Sequence, residues 1–118
     1  MSKILICDNE KDICDLVQAY MTKNGYESSV AIGGRQCLKK WEEEKPDLIL
    51  LDIMMPDLSG WDVFKRIKAK DPEQKIIFMS VLEVSEKRKQ ELKREGLTDY
   101  VMKPFTEEAL MKSVKNAL

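Results

Sequence analysis

The chain has 118 residues, 43% hydrophobic and 35% charged, and its 20 basic and 21 acidic side chains leave a net charge of −1. That length fits one domain with a substantial core, and the balanced charge argues against a general affinity for nucleic acid or an anionic membrane surface. No apolar stretch approaches the roughly 18 residues of a membrane span, and the opening Met-Ser-Lys-Ile-Leu-Ile-Cys-Asp lacks a signal-peptide layout.

The expectation is therefore one cytoplasmic domain over residues 1–118. Three cysteines (Cys7, Cys14, Cys37) include no Cys-x-x-Cys pair, so each reads as a small core residue rather than part of a disulfide framework or zinc site. There is no histidine. This excludes histidine-based nucleophile systems, histidine metal ligands and any phosphohistidine donor within the chain.

Lys3 to Cys7 is a short apolar run and reads as the first strand. Asp8-Asn9-Glu10 follows at its carboxyl end, where Asp8 or Asn9 could cap the next helix. Ile13, Leu16, Val17, Tyr20 and Met21 recur at helical spacing, and Asn24-Gly25 ends that helix. Tyr26 to Ile32 reads as a second strand. Gly33-Gly34 breaks the chain, and Gln36 to Glu44 forms a helix with Cys37, Leu38 and Trp41 inward. Pro46 stands just past its end.

Leu48 to Leu51 is unbroken apolar sequence, as in a strand buried on both faces, and it stops at Asp52. Loop 53–58, with Pro56, leads past Gly60 into a helix over 59–70 with Val63, Phe64 and Ile67 as its stripe. Lys75 to Ser80 is a fourth strand. The helix over 83–95 has only Val84 and Leu92 as apolar groups and must pack weakly. After Gly96, Leu97 to Met102 is a fifth strand ended by Lys103-Pro104. Thr106 caps a last helix with Ala109, Leu110, Val114 and Leu118 inward.

Strands alternating with helices imply an α/β fold. The expected architecture is a single (βα)5 domain, flavodoxin-like and doubly wound, with a five-stranded parallel sheet in the order 2-1-3-4-5. The carboxyl ends of parallel strands share one edge. That edge would gather Asp8 and Asn9, Asp52, Ser80 and Lys103. Two acids, a hydroxyl and an ammonium suit a phosphoryl group and a hard divalent cation. Singly each has a bland reading: a cap, a strand end, a turn, a surface charge. Together at successive strand ends they are harder to dismiss. The first loop lacks the glycines of a nucleotide or flavin phosphate site, and its acids would repel a phosphate unless a cation intervened.

With these motifs the chain resembles the receiver domain of two-component response regulators, with an architecture similar to the bacterial chemotaxis regulator. The resemblance covers the whole chain. It rests on Lys-Ile-Leu-Ile-Cys-Asp-Asn-Glu at 3–10, Leu-Leu-Asp-Ile-Met-Met-Pro-Asp-Leu-Ser-Gly at 50–60, Ile-Ile-Phe-Met-Ser at 76–80 and Asp-Tyr-Val-Met-Lys-Pro-Phe at 99–105. It implies that Asp52 accepts a phosphoryl group from the phosphohistidine of a sensor histidine kinase or histidine phosphotransfer protein. It implies Mg²⁺ as cofactor, held by Asp8, Asp52, the Met54 backbone carbonyl and the position of Asn9. It further implies that Ser80 bonds the phosphoryl group, that Lys103 pairs with it, that the Lys103-Pro104 peptide is cis, and that Tyr100 is the aromatic switch residue. Tyr100 could equally be an ordinary edge-strand aromatic.

Three departures stand out. Asn9 replaces a second acid, which predicts weaker Mg²⁺ binding unless Glu10 compensates. Val81 follows Ser80 where a small residue is common, and could hinder inward rotation of Tyr100. Leu97 replaces the usual alanine, read as a packing change.

The implied function is a phosphorylation-activated switch. Phosphate on Asp52 would draw Ser80 and Lys103, and the 80–105 surface would change to control a downstream target protein or output domain through the 83–105 face. The rival reading is a pseudo-receiver, a protein-binding module that needs no phosphate. A metal-dependent phosphatase would need longer loops for a substrate pocket. The chain is expected not to be an enzyme beyond its own phosphorylation and dephosphorylation, and to be a monomer that could dimerise when phosphorylated.

Overall fold

The computed structural model describes residues 2–118. Its elements are β1 (Lys3–Asp8), α1 (Lys11–Lys23), β2 (Glu27–Ile32), α2 (Gly34–Glu44), β3 (Leu48–Asp52), α3 (Gly60–Lys70), β4 (Lys75–Ser80), α4 (Glu86–Arg94), β5 (Asp99–Met102) and α5 (Glu107–Ala117). All strand pairs are parallel, in the order β2-β1-β3-β4-β5.

The side-chain alternation of the central strands divides the core in two. Leu5, Cys7, Ile49, Leu51, Ile76 and Phe78 meet α2, α3 and α4 on one face. Ile4, Ile6, Leu48, Leu50, Ile77 and Met79 meet α1 and α5 on the other. The unbroken apolar runs in β1, β3 and β4 follow from this burial on both sides. All three cysteines are free and buried, as expected of core residues. Among the described residues no helix is long and apolar enough to cross a membrane.

Several local expectations need correction. Neither Asp8 nor Asn9 caps α1. The N-cap is Glu10, and the Asp8 carboxylate instead accepts the Glu10 amide at 3.0 Å. β1 runs one residue further, into Asp8 itself. Leu16 is exposed on α1. In α5, Ala109 and Leu118 face outward, while Leu110, Met111, Ser113 and Val114 are buried. α4 begins at Glu86 rather than 83, because the Ser85 hydroxyl caps the Arg88 amide. Leu97 is not in β5. Its amide closes the end of α4 on the Leu92 carbonyl at 2.9 Å and its side chain is in the core.

Candidate functional site

Strand register builds the site. Cys7 pairs with Leu51, so Asp8 and Asp52, one residue further on, end adjacent strands. Asp52 pairs with Met79, which puts Ser80 one step beyond, and Ser80 pairs with Met102, just before Lys103. A bond from the Lys103 amide to the Ser80 carbonyl, 2.8 Å long, extends that pairing. Asp8 and Ser80 are fully buried and Asp52 is nearly so.

The Lys103 ammonium lies 2.6 Å from Asp8 Oδ2 and 3.7 Å from Asp52 Oδ2. One cation thus serves two buried carboxylates. Burial, followed by the charge of Asp8, pushes the Asp52 pKa up to about 6, against the opposing pull of Lys103 and of the Met54 amide. That amide donates to Asp52 Oδ1 at 3.3 Å, leaving Oδ2 toward the lysine.

The site's other wall is the turn after β4. The Leu82 peptide is held at both ends: its amide donates to Ser80 Oγ at 3.1 Å, and its carbonyl accepts the Tyr100 hydroxyl at 2.6 Å. Tyr100 points inward, 6% exposed, with its ring 6.1 Å from that of Phe78. Val81 is 59% exposed and turned away, so the obstruction expected of it does not arise. The Lys103-Pro104 peptide is cis.

The residues fit a hard divalent cation. Two buried carboxylates share a single ammonium, and burial together with the charge of Asp8 raises Asp52 despite that ammonium. Among the described residues no cluster of three or more acidic, cysteine or histidine side chains forms, so Glu10 does not supply a third acid. Further ligands would have to be neutral oxygens, for which the Asn9 amide and the Met54 carbonyl are available; both residues are exposed beside the acids. Hard cations accept such oxygens.

Two residues escaped the sequence reading as parts of the site. Gly60 lies against its floor: its amide donates to the Ile53 carbonyl at 2.7 Å, and a Cβ there would fall 2.2 Å from the Asp52 carbonyl oxygen. Asp57 holds the loop after β3 onto α2, accepting the Gly34 and Arg35 amides at 3.0 Å each. The Asp-Leu-Ser-Gly run at 57–60 was a visible turn signal, but nothing local tied it to α2.

A doubly wound sheet with acids, hydroxyl and lysine along its carboxyl edge defines a class, and comparison with known proteins places the chain in it. The model of the response regulator receiver domain matches residues 4–115, and the chain belongs to that family of two-component signalling proteins. The alkaline phosphatase synthesis transcriptional regulatory protein PhoP of Bacillus subtilis is 38% identical over 98% of this chain and 48% of its own length. The chain thus spans about half the length of PhoP, as it does of the response regulator SaeR of Staphylococcus epidermidis. Among solved structures, the Vibrio cholerae chemotaxis protein CheY4 superposes with a TM-score of 0.90 at 31% identity, covering 100% of this chain and 99% of its own. TrrA of Thermotoga maritima, solved in complex with Mg²⁺ and BeF, gives 0.87 at 33% identity with 100% of both chains covered.

Proposed function

We propose that the domain is a phosphorylation switch with Asp52 as phosphoacceptor, taking its phosphoryl group from the phosphohistidine of a sensor histidine kinase or histidine phosphotransfer protein. The observation that carries this is the lone carboxylate ending the central strand, with Asp8 beside it and the Lys103 ammonium 3.7 Å away. With a pKa near 6, Asp52 is ionised and nucleophilic at neutral pH.

An Asp52 carboxylate oxygen attacks phosphorus. A P–O bond forms as the P–N bond breaks, and the electron pair of that bond returns to the donor's imidazole nitrogen. Mg²⁺, bound by Asp8 and Asp52 with oxygens from Asn9 and the Met54 main chain, would offset charge on the phosphoryl oxygens. Lys103 leaves Asp8 for a phosphoryl oxygen. Ser80 Oγ already accepts the Leu82 amide, so its own proton is free to donate to another. That pull moves the Leu82 peptide, which Tyr100 also holds, and so carries the change to the 80–105 surface. A groove of about 460 Å³ on that side, lined by Lys89, Tyr100, Met102, Phe105 and Lys112, supports docking of a target or output domain there. The reading is a switch acting on itself, not an enzyme for a free substrate.

Intact-mass measurement after incubation with acetyl phosphate tests it. Wild type is expected to gain one phosphoryl group only with Mg²⁺, and Asp52→Asn none. An unmodified wild type at saturating Mg²⁺ would favour a phosphorylation-independent binding module instead.

A further inference from the structure

The amino end of α2 carries no cap of its own. Gly33 is its N-cap, with φ +94° and no side chain to accept a bond, and the first turn has no acid. The acceptor comes from another loop. Asp57 Oδ1 takes the Gly34 amide and Oδ2 the Arg35 amide, each at 3.0 Å. Glycines make the room: a Cβ on Gly33 would lie 3.0 Å from Asp57 Oδ1, and one on Gly34 2.6 Å from the Leu58 carbonyl oxygen.

The same helix end also reaches the other acid. The Gly33 amide donates to the Asp8 carbonyl at 3.2 Å. The start of α2 is therefore tied directly to the strand end that carries Asp8. Through Asp57 it is tied to loop 53–58, whose Met54 amide bonds Asp52 at 3.3 Å. A helix cap alone would need only the Asp57 bonds to the Gly34 and Arg35 amides.

We propose that Asp57 is a positioning residue for the phosphoacceptor site: by clamping loop 53–58 to the start of α2 it sets the spacing of the Asp8 and Asp52 carboxylates and the place of the Met54 main chain, and so the site's fit to a divalent cation. The proposal rests on the reading of the site as a Mg²⁺-assisted phosphoacceptor. Residues behind the ligands commonly tune a metal site in this way.

The test is a Mg²⁺ titration of the unphosphorylated protein by NMR, with unfolding midpoints and acetyl phosphate uptake measured alongside. Asp57→Ala is expected to weaken Mg²⁺ binding about tenfold, and Asp57→Asn, which keeps one acceptor oxygen, about threefold. Both should shift the Met54 amide resonance. Asp62→Ala, at the start of α3 and outside the clamp, should leave the Mg²⁺ constant unchanged. If Asp57→Ala is less stable but binds Mg²⁺ as wild type does, Asp57 is a helix cap and the proposal is wrong. Should Asp57→Ala fail to fold, Asp57→Asn decides by the same criterion. A wild type that binds no Mg²⁺ and takes no phosphoryl group would overturn the phosphoacceptor reading and this proposal with it. A wild type that does both, matched by both Asp57 variants, overturns this proposal alone.

Discussion

Asp8 and Asp52 present two buried carboxylates to the single ammonium of Lys103, and their burial and mutual repulsion have measurable consequences in the metal-free protein. Asp52 binds its proton more tightly folded, near pH 6, than unfolded, near 3.8. Its contribution to stability is therefore full below about pH 4 and is lost as pH rises through 6. Asp52→Asn removes that loss. It should be more stable than wild type at pH 7.5 by on the order of 1 kcal/mol, a modest figure because the amide gives up the attraction of Lys103 along with the buried charge. The advantage should vanish below about pH 4 in urea unfolding followed across pH. Lys103→Met acts in the opposite sense, because it strands two acids without a partner. It should cost about 3 kcal/mol at pH 7.5 in metal-free buffer, with part of the loss recovered on adding Mg²⁺. The acids, the hydroxyl and the lysine were legible in the sequence because each ends an apolar run. Asp57 was not, since the helix start it caps lies 22 and 23 residues away in the chain and only the fold brings them together.

Among the elements, α4 and the turn into α3 differ most in how they are held. α4 buries only Leu92, helped by partly buried Val84, whereas α3 buries Val63, Phe64 and Ile67. Backbone amides in α4 should exchange with deuterium before those of any other helix, as few apolar contacts oppose local opening. Protection equal to that of α3 would contradict the account. The turn into α3 is the reverse case. A Cβ at position 60 would collide with the Asp52 carbonyl and with Ile53 Cα, both backbone atoms. Gly60→Ala should destabilise the fold by about 3 kcal/mol in chemical denaturation, since backbone cannot move aside as a side chain can. Helix existence was readable from periodicity, but helix edges and faces were less so. Ser85 outranked the earlier residues as a cap for α4. In α5 the inner face turned toward Met111 and Ser113, the latter bonding Asp99 at 2.5 Å, a partner no local pattern announces.

At the scale of the whole molecule, the parallel order β2-β1-β3-β4-β5 is what converts separate strand ends into one site. Alternating strands and helices made that topology legible, because right-handed crossovers leave few other arrangements. What one chain cannot display in advance is the state of the turn after β4. There, Tyr100 already lies inside, bound to Leu82, and Val81 does not obstruct it. The link from Ser80 through Leu82 to Tyr100 makes that surface the expected reporter of phosphorylation.

The central claim is that Asp52 itself carries the phosphoryl group. It is tested most directly by treating the protein with acetyl phosphate and Mg²⁺, trapping with borohydride and sequencing the peptides by mass spectrometry. An acyl phosphate at Asp52 is reduced to homoserine at that position, and the account predicts this product only when Mg²⁺ is present. A reduced residue elsewhere in the chain, or none at position 52 under saturating donor and Mg²⁺, would contradict it.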